Sequence, residues 1–131
     1  MKQMILLAVL IFSTLSLSAQ KNTDHSKWEL TSRSINASQK IPYIYFDINT
    51  SNVSGFSGCN RFSGAYSVDS SQNIKFSPLA STRMMCPMPQ MDIEMYFFKQ
   101  IAKVTTFSMG VSTLKFLNAD KAIVLEFSKV E

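Results

Sequence analysis

The residues with the most chemical potential in this 131-residue chain are its two cysteines, Cys59 and Cys86. A cysteine pair can form a disulfide, remain as two free thiols, or supply thiolate ligands to a metal ion. Their separation excludes a Cys-x-x-Cys redox motif, and the other soft side chains close to them are methionines. Each cysteine stands near an arginine, Arg61 or Arg83. Residues 58–87 are therefore the first place to look for a site.

A run of methionines overlaps this region and continues beyond it, as Met84, Met85, Met88, Met91 and Met95. Thioether sulfur is a soft ligand that can select Cu(I), so Met84, Met85 and Met88 form a candidate copper site. However, no histidine accompanies the run, and methionine commonly fills irregular gaps in a core. Packing is the favoured interpretation, with Met91 and Met95 predicted to face a core. Copper binding is the alternative.

Side chains for the familiar catalytic arrangements are largely missing. The only histidine, His25, lies in a polar N-terminal segment predicted to be flexible, where it cannot support a Ser-His-Asp or Cys-His arrangement. Most acidic residues fall on predicted turns or polar strand faces, away from any paired-carboxylate geometry. No glycine-rich phosphate-binding motif precedes a predicted helix. We therefore expect a protein that is not an enzyme and has no cofactor.

The elements that would position these residues are mostly strands. Apolar and polar residues alternate with period two over residues 43–48, 65–77 and 122–129, which is typical of half-buried antiparallel strands. Shorter strands are predicted at Trp28-Glu29-Leu30, around Val53 and Phe56, and near residues 105–109 and 113–117. Turns rich in Ser, Asn, Asp and Gly separate them. The result is a sheet with one dry face and one wet face.

One segment, residues 89–104, has helical spacing instead. Asp92 lies toward its start and Lys99 and Lys103 toward its end, which suits the helix dipole. Apolar residues fill a broad arc, and Glu94 falls inside that arc, where an unpartnered carboxylate would be costly. The expected fold class is α+β, mainly antiparallel β: a curled or barrel-like sheet with one amphipathic helix packed on or into it.

The N-terminus reads as a secretory signal peptide over residues 1–19. Lys2 supplies the positive region, residues 4–17 are mostly apolar, and small residues then offer a cleavage site. The apolar run is too short, and too soon followed by polar residues, to favour a transmembrane anchor, and no cysteine lies near the cleavage site for lipid attachment. We predict an exported, periplasmic or secreted protein that is not a lipoprotein, with a flexible leader at residues 20–26 and one domain at 27–131.

Export and composition narrow the remaining alternatives. In an oxidising compartment, two cysteines are most simply a disulfide, and Cys59–Cys86 is predicted to be one. Removal of 19 residues from 131 leaves 112, enough for one core, and removal of Lys2 lowers the net charge from +4 to +3. The basic residues are scattered along the chain, so no nucleic-acid footprint is expected.

The chain resembles the META domain (HslJ-like) family of small bacterial envelope proteins from about Trp28 to the C-terminus. The resemblance depends on five parts of the sequence: Trp28-Glu29-Leu30, Gly58-Cys59-Asn60-Arg61-Phe62-Ser63-Gly64-Ala65-Tyr66, Ile74-Lys75-Phe76, Leu79-Ala80-Ser81-Thr82-Arg83-Met84-Met85-Cys86-Pro87, and the helix containing Glu94. It implies a β-rich domain with one packed helix at the bacterial envelope. Family members are often lipoproteins, and this chain departs from them there.

The family often carries Glu at this helix position and Arg at the positions of Arg61 and Arg83. We therefore predict that Glu94 pairs with Arg83 or Arg61, or accepts backbone N–H groups from the loop at residues 82–86. This contact is interpreted as a structural brace, with a recognition site as the alternative. Asn60 is expected to bond loop backbone through its side chain. The structural or binding candidates are Asn60, Arg61, Thr82, Arg83 and Glu94.

The favoured function is an exported, non-enzymatic accessory or binding domain that contacts a protein or peptide and acts as a monomer. Links of relatives to heat shock, antibiotic tolerance or virulence imply a role in stress but name no substrate. The alternative is a periplasmic carrier of a small molecule or Cu(I). A carrier predicts a cavity beneath the helix, whereas a binding domain predicts a filled core and an exposed patch, for which Tyr43, Tyr45 and Tyr66 are candidates.

Overall fold

A computed structural model describes residues 26–130 of the chain. The predicted signal peptide, most of the predicted leader and the lone histidine lie outside these described residues. The strands are β1 (Lys27–Leu30), β2 (Tyr43–Asp47), β3 (Asn52–Phe56), β4 (Arg61–Val68), β5 (Ile74–Phe76), β6 (Ala80–Ser81), β7 (Thr106–Met109), β8 (Thr113–Leu117) and β9 (Ile123–Val130). The helix α1 (Gln90–Ile101) lies between β6 and β7.

The strands form one antiparallel sheet in the order β5-β4-β3-β2-β1-β9-β8-β7, with β6 paired to the first half of β4. The two edges approach each other through a bridge between Asn73 and Thr106. There the Ile74 N–H donates to the Thr105 carbonyl oxygen at 3.0 Å, and the Phe107 N–H donates to that of Gln72 at 3.1 Å. The sheet is thus a nearly closed barrel, which confirms the predicted fold class.

The core follows from the period-two alternation of the strands. Trp28, Ile44, Val53, Phe62 and Phe127 come from five different strands, and each is at most 4% exposed. Their neighbours in sequence point to the other face of the sheet, because successive side chains of a strand alternate. This burial of branched and aromatic side chains from nearly every strand pulls the sheet around one interior.

The helix α1 begins after Pro89, where a missing N–H costs nothing, and turns one side toward the barrel. Its buried residues are Ile93, Glu94, Phe97 and Ile101, which recur at the spacing of one helical face. The prediction that Met95 faces the core was wrong, because its side chain is 61% exposed. The buried arc is narrower than the apolar arc of the sequence, since the barrel contacts only one side of the helix.

The interior under the helix is filled by aromatic rings. The rings of Phe62 and Phe97 lie 5.3 Å apart, and Phe98 contacts both of them edge-on. Phe116 and Phe127 continue the cluster further along the barrel. Rings packed in this way fill the part of the interior that lies against Phe97 and Phe98.

Of the tyrosines suggested for an exposed patch, Tyr66 lies elsewhere. Its ring packs edge-on against Phe46 at 5.0 Å, on the side of the sheet that faces the core. Burial, with a smaller contribution from Asp47, raises the pKa of the Tyr66 hydroxyl above its usual value. Tyr43 and Tyr45 lie on the outer face, as predicted, with their rings 5.3 Å apart.

Between residues 26 and 130 the chain has no helix with the length and apolar character that crossing a lipid bilayer requires.

Candidate functional site

The central feature of the site is the four-residue loop that joins β3 to β4. The Ser57 N–H donates to the Asn60 carbonyl oxygen at 3.0 Å and closes the loop. Gly58 has φ of 129°, a conformation that side-chain-bearing residues rarely adopt. A Cβ atom at Gly58 would lie 2.9 Å from the backbone nitrogen of Glu94. Glycine therefore lets the loop touch the helix backbone directly.

This approach places the Glu94 carboxylate among donors from the loop. Its Oε1 accepts hydrogen bonds from the Ser57 hydroxyl and, at 2.8 Å, from the Asn60 backbone N–H. Its Oε2 accepts one from the Asn60 side-chain amide at 2.9 Å. Glu94 is 7% exposed, so these bonds replace the water that the carboxylate loses on folding.

The predicted partners of Glu94 were wrong. Neither Arg61 nor Arg83 bonds to it, and the N–H donor comes from the loop after β3, not from residues 82–86. Both arginines are exposed, where their guanidinium groups keep their hydration. Dipolar donors already satisfy both carboxylate oxygens at close range, so the buried position of Glu94 does not depend on a cation.

Asn60 connects this carboxylate to the second irregular segment. Its side-chain oxygen accepts from the Met84 N–H at 2.7 Å and from the Thr82 hydroxyl at 2.9 Å. Its side-chain nitrogen donates to the Met84 carbonyl oxygen at 3.1 Å as well as to Glu94. All the hydrogen-bonding capacity of the amide is used, which confirms that Asn60 bonds loop backbone.

A disulfide joins the same two segments, between Cys59 and Cys86, as predicted. We call the set Ser57, Asn60, Thr82, Met84 and Glu94, with this disulfide, the loop brace. The brace connects the loop between β3 and β4, the segment that precedes α1, and α1 itself by covalent and hydrogen bonds together. Among the described residues that are not exposed, no buried side-chain N or O atom lacks a hydrogen-bond partner. The buried polar side chains of the brace are therefore all satisfied by hydrogen bonds.

Next to the brace, on the outer face of the sheet, lies an open cleft of about 600 Å³. We call it the basic cleft; its defining residues are Lys27, Lys40, Tyr43, Phe56, Arg61 and Thr82. Tyr43 pairs with Phe56 across β2 and β3, and their stacked rings lie 5.9 Å apart. Cys59 and Met84 line the cleft from the side of the brace. The volume is in the range of ordinary ligand sites.

The charge of the cleft is positive. The lining side chains include three cations, Lys27, Lys40 and Arg61, and one carboxylate, that of Glu29. The Glu29 carboxylate lies 2.9 Å from the Lys27 ammonium group. The hydrogen bond with Glu29 is the main cause that raises the pKa of Lys27 above its usual value. The same ammonium lies 4.6 Å from the Tyr43 ring centre. Within residues 26–130, neither Lys40 nor Arg61 is in an ion pair.

The remaining sequence candidates lie at the edge of this arrangement. Arg83 is exposed and is not among the residues lining the basic cleft. Met84, Met85 and Met88 are 58%, 89% and 69% exposed, so solvent can reach their thioether groups. Copper binding by these three methionines stays a prediction. The described residues contain no group of three or more His, Cys, Asp or Glu side chains placed to hold a metal ion.

Sequence reasoning missed two parts of the site. Ser57 is fully buried and bonds Glu94, and its position directly before Gly58 was the only signal for it. The basic cleft also went unnoticed, because Lys27, Lys40 and Phe56 come from separate strands and loops. The period-two pattern assigned Tyr43 to the outer face. It could not show that Phe56 is the cross-strand neighbour of Tyr43, or that Arg61 is in turn the neighbour of Phe56.

Replacing Asn60 with alanine is expected to lower the free energy of unfolding by about 2–3 kcal/mol. The change removes the bridge between Glu94 and Met84 and leaves buried groups without partners. Urea denaturation followed by circular dichroism measures the effect. Asn49→Ala is the matched control, because Asn49 is exposed and should change stability by less than about 0.5 kcal/mol. Equal stabilities of the two variants would contradict the role assigned to the bridge.

Over residues 26–130, the fold and the site together define a small α+β barrel domain with one helix and with a disulfide that braces two of its loops. Residues 21–131 match the family model described as META domain, and the chain belongs to that family. An NMR structure of a protein from Burkholderia xenovorans is similar, with 24% identity, a TM-score of 0.63, and coverage of 82% of this chain and 83% of that one.

A second solved structure, also determined by NMR, is 27% identical with a TM-score of 0.60 and covers 79% of this chain and 88% of that one. No curated protein sequence matches the chain. At these identities, the similarity to the two solved structures is a similarity of fold.

Proposed function

We propose that the protein is an exported, non-enzymatic accessory domain of the bacterial envelope that binds a segment of a protein or peptide in the basic cleft. The observation that carries this proposal is the combination in one open cleft of a stacked aromatic pair, Tyr43 and Phe56, with two cations that have no ion-pair partner within residues 26–130. Tyrosine and arginine are the side chains most often found at the energetic centre of protein interfaces.

The support for a preformed site comes from the loop brace. Cys59, Thr82 and Met84 line the cleft and belong to segments fixed by a disulfide and by Asn60. A surface held in this way loses little conformational entropy on binding, which favours affinity. The disulfide is also what an oxidising compartment outside the cytoplasm allows, and it supports the export part of the proposal. The link to stress rests on the family resemblance alone.

Site-specific photo-crosslinking in cells tests the proposal with the full chain, including its first 19 residues. A benzoylphenylalanine probe replaces Ile41, which lines the cleft and is 41% exposed, and in a second strain it replaces Ile123, which is 48% exposed and lies on β9. We expect a discrete protein adduct in the envelope fraction from the Ile41 position and none from the Ile123 position.

Tyr43→Ser in the probe strain should reduce the adduct at least fivefold, because it removes one half of the aromatic wall. An identical set of adducts from both probe positions, or an adduct that is unaffected by Tyr43→Ser, would contradict binding in the cleft. Retention of the protein in the cytoplasm, with none in the envelope fraction or the culture medium, would contradict export.

A further inference from the structure

Two positive groups of the basic cleft, Lys27 and Arg61, lie on the outer two of four neighbouring strands, and their positions are offset by two residues along the strands. Lys27 is on β1 and pairs with Tyr45, while Arg61 is on β4 and pairs with Phe56, the cross-strand neighbour of Tyr43. Three steps between strands separate β1 from β4, and at roughly 4.8 Å per step the two positions are about 14 Å apart across the strands. The stacked rings of Tyr43 and Phe56 lie between them.

From one end of the cleft to the other, the surface therefore presents the cation Lys27, the aromatic rings of Tyr43 and Phe56, and the cation Arg61. The lysine at one end is already paired with Glu29, whereas Lys40 and Arg61 have no carboxylate partner among residues 26–130. The lining side chains carry three positive charges against one negative charge. A positive cleft of this kind attracts and orients a negatively charged ligand.

We propose that the basic cleft recognises an extended acidic segment of a protein, in which Asp or Glu side chains flank an aromatic or large apolar residue. This inference rests on the proposed function and names the chemistry of the partner. Arg61 and Lys40 bind the carboxylates, and the central side chain packs on Tyr43 and Phe56. An extended chain rises about 3.3 Å per residue, so the distance of about 14 Å across the strands between Lys27 and Arg61 accommodates roughly four residues of the ligand.

The spread of the cations favours side-chain carboxylates over a single chain-terminal carboxylate. Capture of one terminus needs donors that converge on one point, whereas Lys27 on β1 and Arg61 on β4 are separated by two intervening strands. The rings of Tyr43 and Phe56 also give the ligand an apolar contact between its charged side chains, which a cluster of surface lysines alone would not provide.

Binding can be measured by fluorescence anisotropy with the purified exported protein. The probe is a labelled eight-residue peptide with four Asp or Glu residues around a central Phe and an amidated C-terminus. Companion peptides replace every acid by its amide, or replace the central Phe by Ser, and one has a neutral sequence with a free C-terminal carboxylate. We expect the acidic peptide to bind at least tenfold more tightly than each companion.

The variant pair isolates the charges of the cleft. Lys40→Gln combined with Arg61→Gln should weaken binding of the acidic peptide at least tenfold. Lys75→Gln combined with Lys103→Gln removes the same charge from exposed positions that do not line the cleft, and should weaken binding less than twofold. All four side chains are exposed, so the melting temperatures of both double variants should remain close to that of the parent. Binding should also weaken steeply between 50 mM and 500 mM salt.

Several results would overturn the inference. These are equal binding of acidic and amide peptides, equal loss in both double variants, or tight binding of the neutral peptide through its free terminus alone. Binding of phosphatidylglycerol vesicles in place of the peptide would also overturn it, in favour of a lipid surface. If no acidic peptide binds but crosslinking still depends on Tyr43, the proposed function stands and this inference fails. If both experiments fail, both proposals fall.

Discussion

Removing the disulfide by the double change Cys59→Ala and Cys86→Ala should lower the free energy of unfolding by about 3–4 kcal/mol. The two cysteines are 27 residues apart, and the bond restricts the unfolded chain by closing that loop. The loss should appear as a fall in melting temperature of roughly 10–20 °C for a domain of this size.

Urea denaturation of the double variant, beside the parent with and without reductant, measures this effect. The reduced parent should match the double variant, because both lack the same covalent bond. Met85→Ala is a control in the same segment, since Met85 is 89% exposed and its removal should change stability by less than about 0.5 kcal/mol. A double variant as stable as the oxidised parent would show that the hydrogen bonds of the loop brace hold the segments without the disulfide.

The second large effect is expected at Gly58. Alanine there must adopt the φ of 129°, and its Cβ would lie 2.9 Å from the Glu94 backbone nitrogen and 3.2 Å from the Gln90 carbonyl oxygen. These atoms belong to the helix backbone and cannot rotate away. We expect a loss of roughly 3–5 kcal/mol from backbone strain and overpacking together.

Gly110→Ala is the matched control for this change. A Cβ at Gly110 would have its nearest contact at 3.6 Å, an ordinary van der Waals distance, and its φ lies outside the range that disfavours side chains. Its stability should remain within about 0.5 kcal/mol of the parent. Comparable losses at Gly58 and Gly110 would refute the close approach of the loop to the helix. Loss of the Asn60 bridge alone should cost less than the Gly58 change, because it leaves the backbones in place.

Much of the fold could be predicted because local patterns determine it. Alternation over residues 43–48 and 122–129 predicted strands, and strands β2 and β9 are found there. Helical spacing over residues 89–104 predicted a helix, which spans Gln90–Ile101. In both cases one face of the element is buried, and the periodic spacing of apolar residues along the chain reveals that face.

The candidate site was only partly predictable. Glu94 was correctly placed on the buried face, but its partners were expected among the arginines. The residue pattern of a helix shows which side chains face the core. It does not show which segment of the chain packs against that face. The donors come from Ser57 and Asn60, brought there by the conformation of Gly58. The prediction for Met95 was wrong for a related reason, because an apolar residue of the helix is buried only where the barrel contacts it.

The sequence by itself determined the alternating strands, the single amphipathic helix, the family, and the pairing of Cys59 with Cys86, since these depend on residue types and their spacing. Only the tertiary structure decided that Glu94 bonds to a loop and that Lys27, Tyr43 and Arg61 line one cleft. Their proximity arises from strand order and register in a closing barrel. Register joins residues that are far apart in the chain through long-range packing, and that packing leaves no short-range pattern to read.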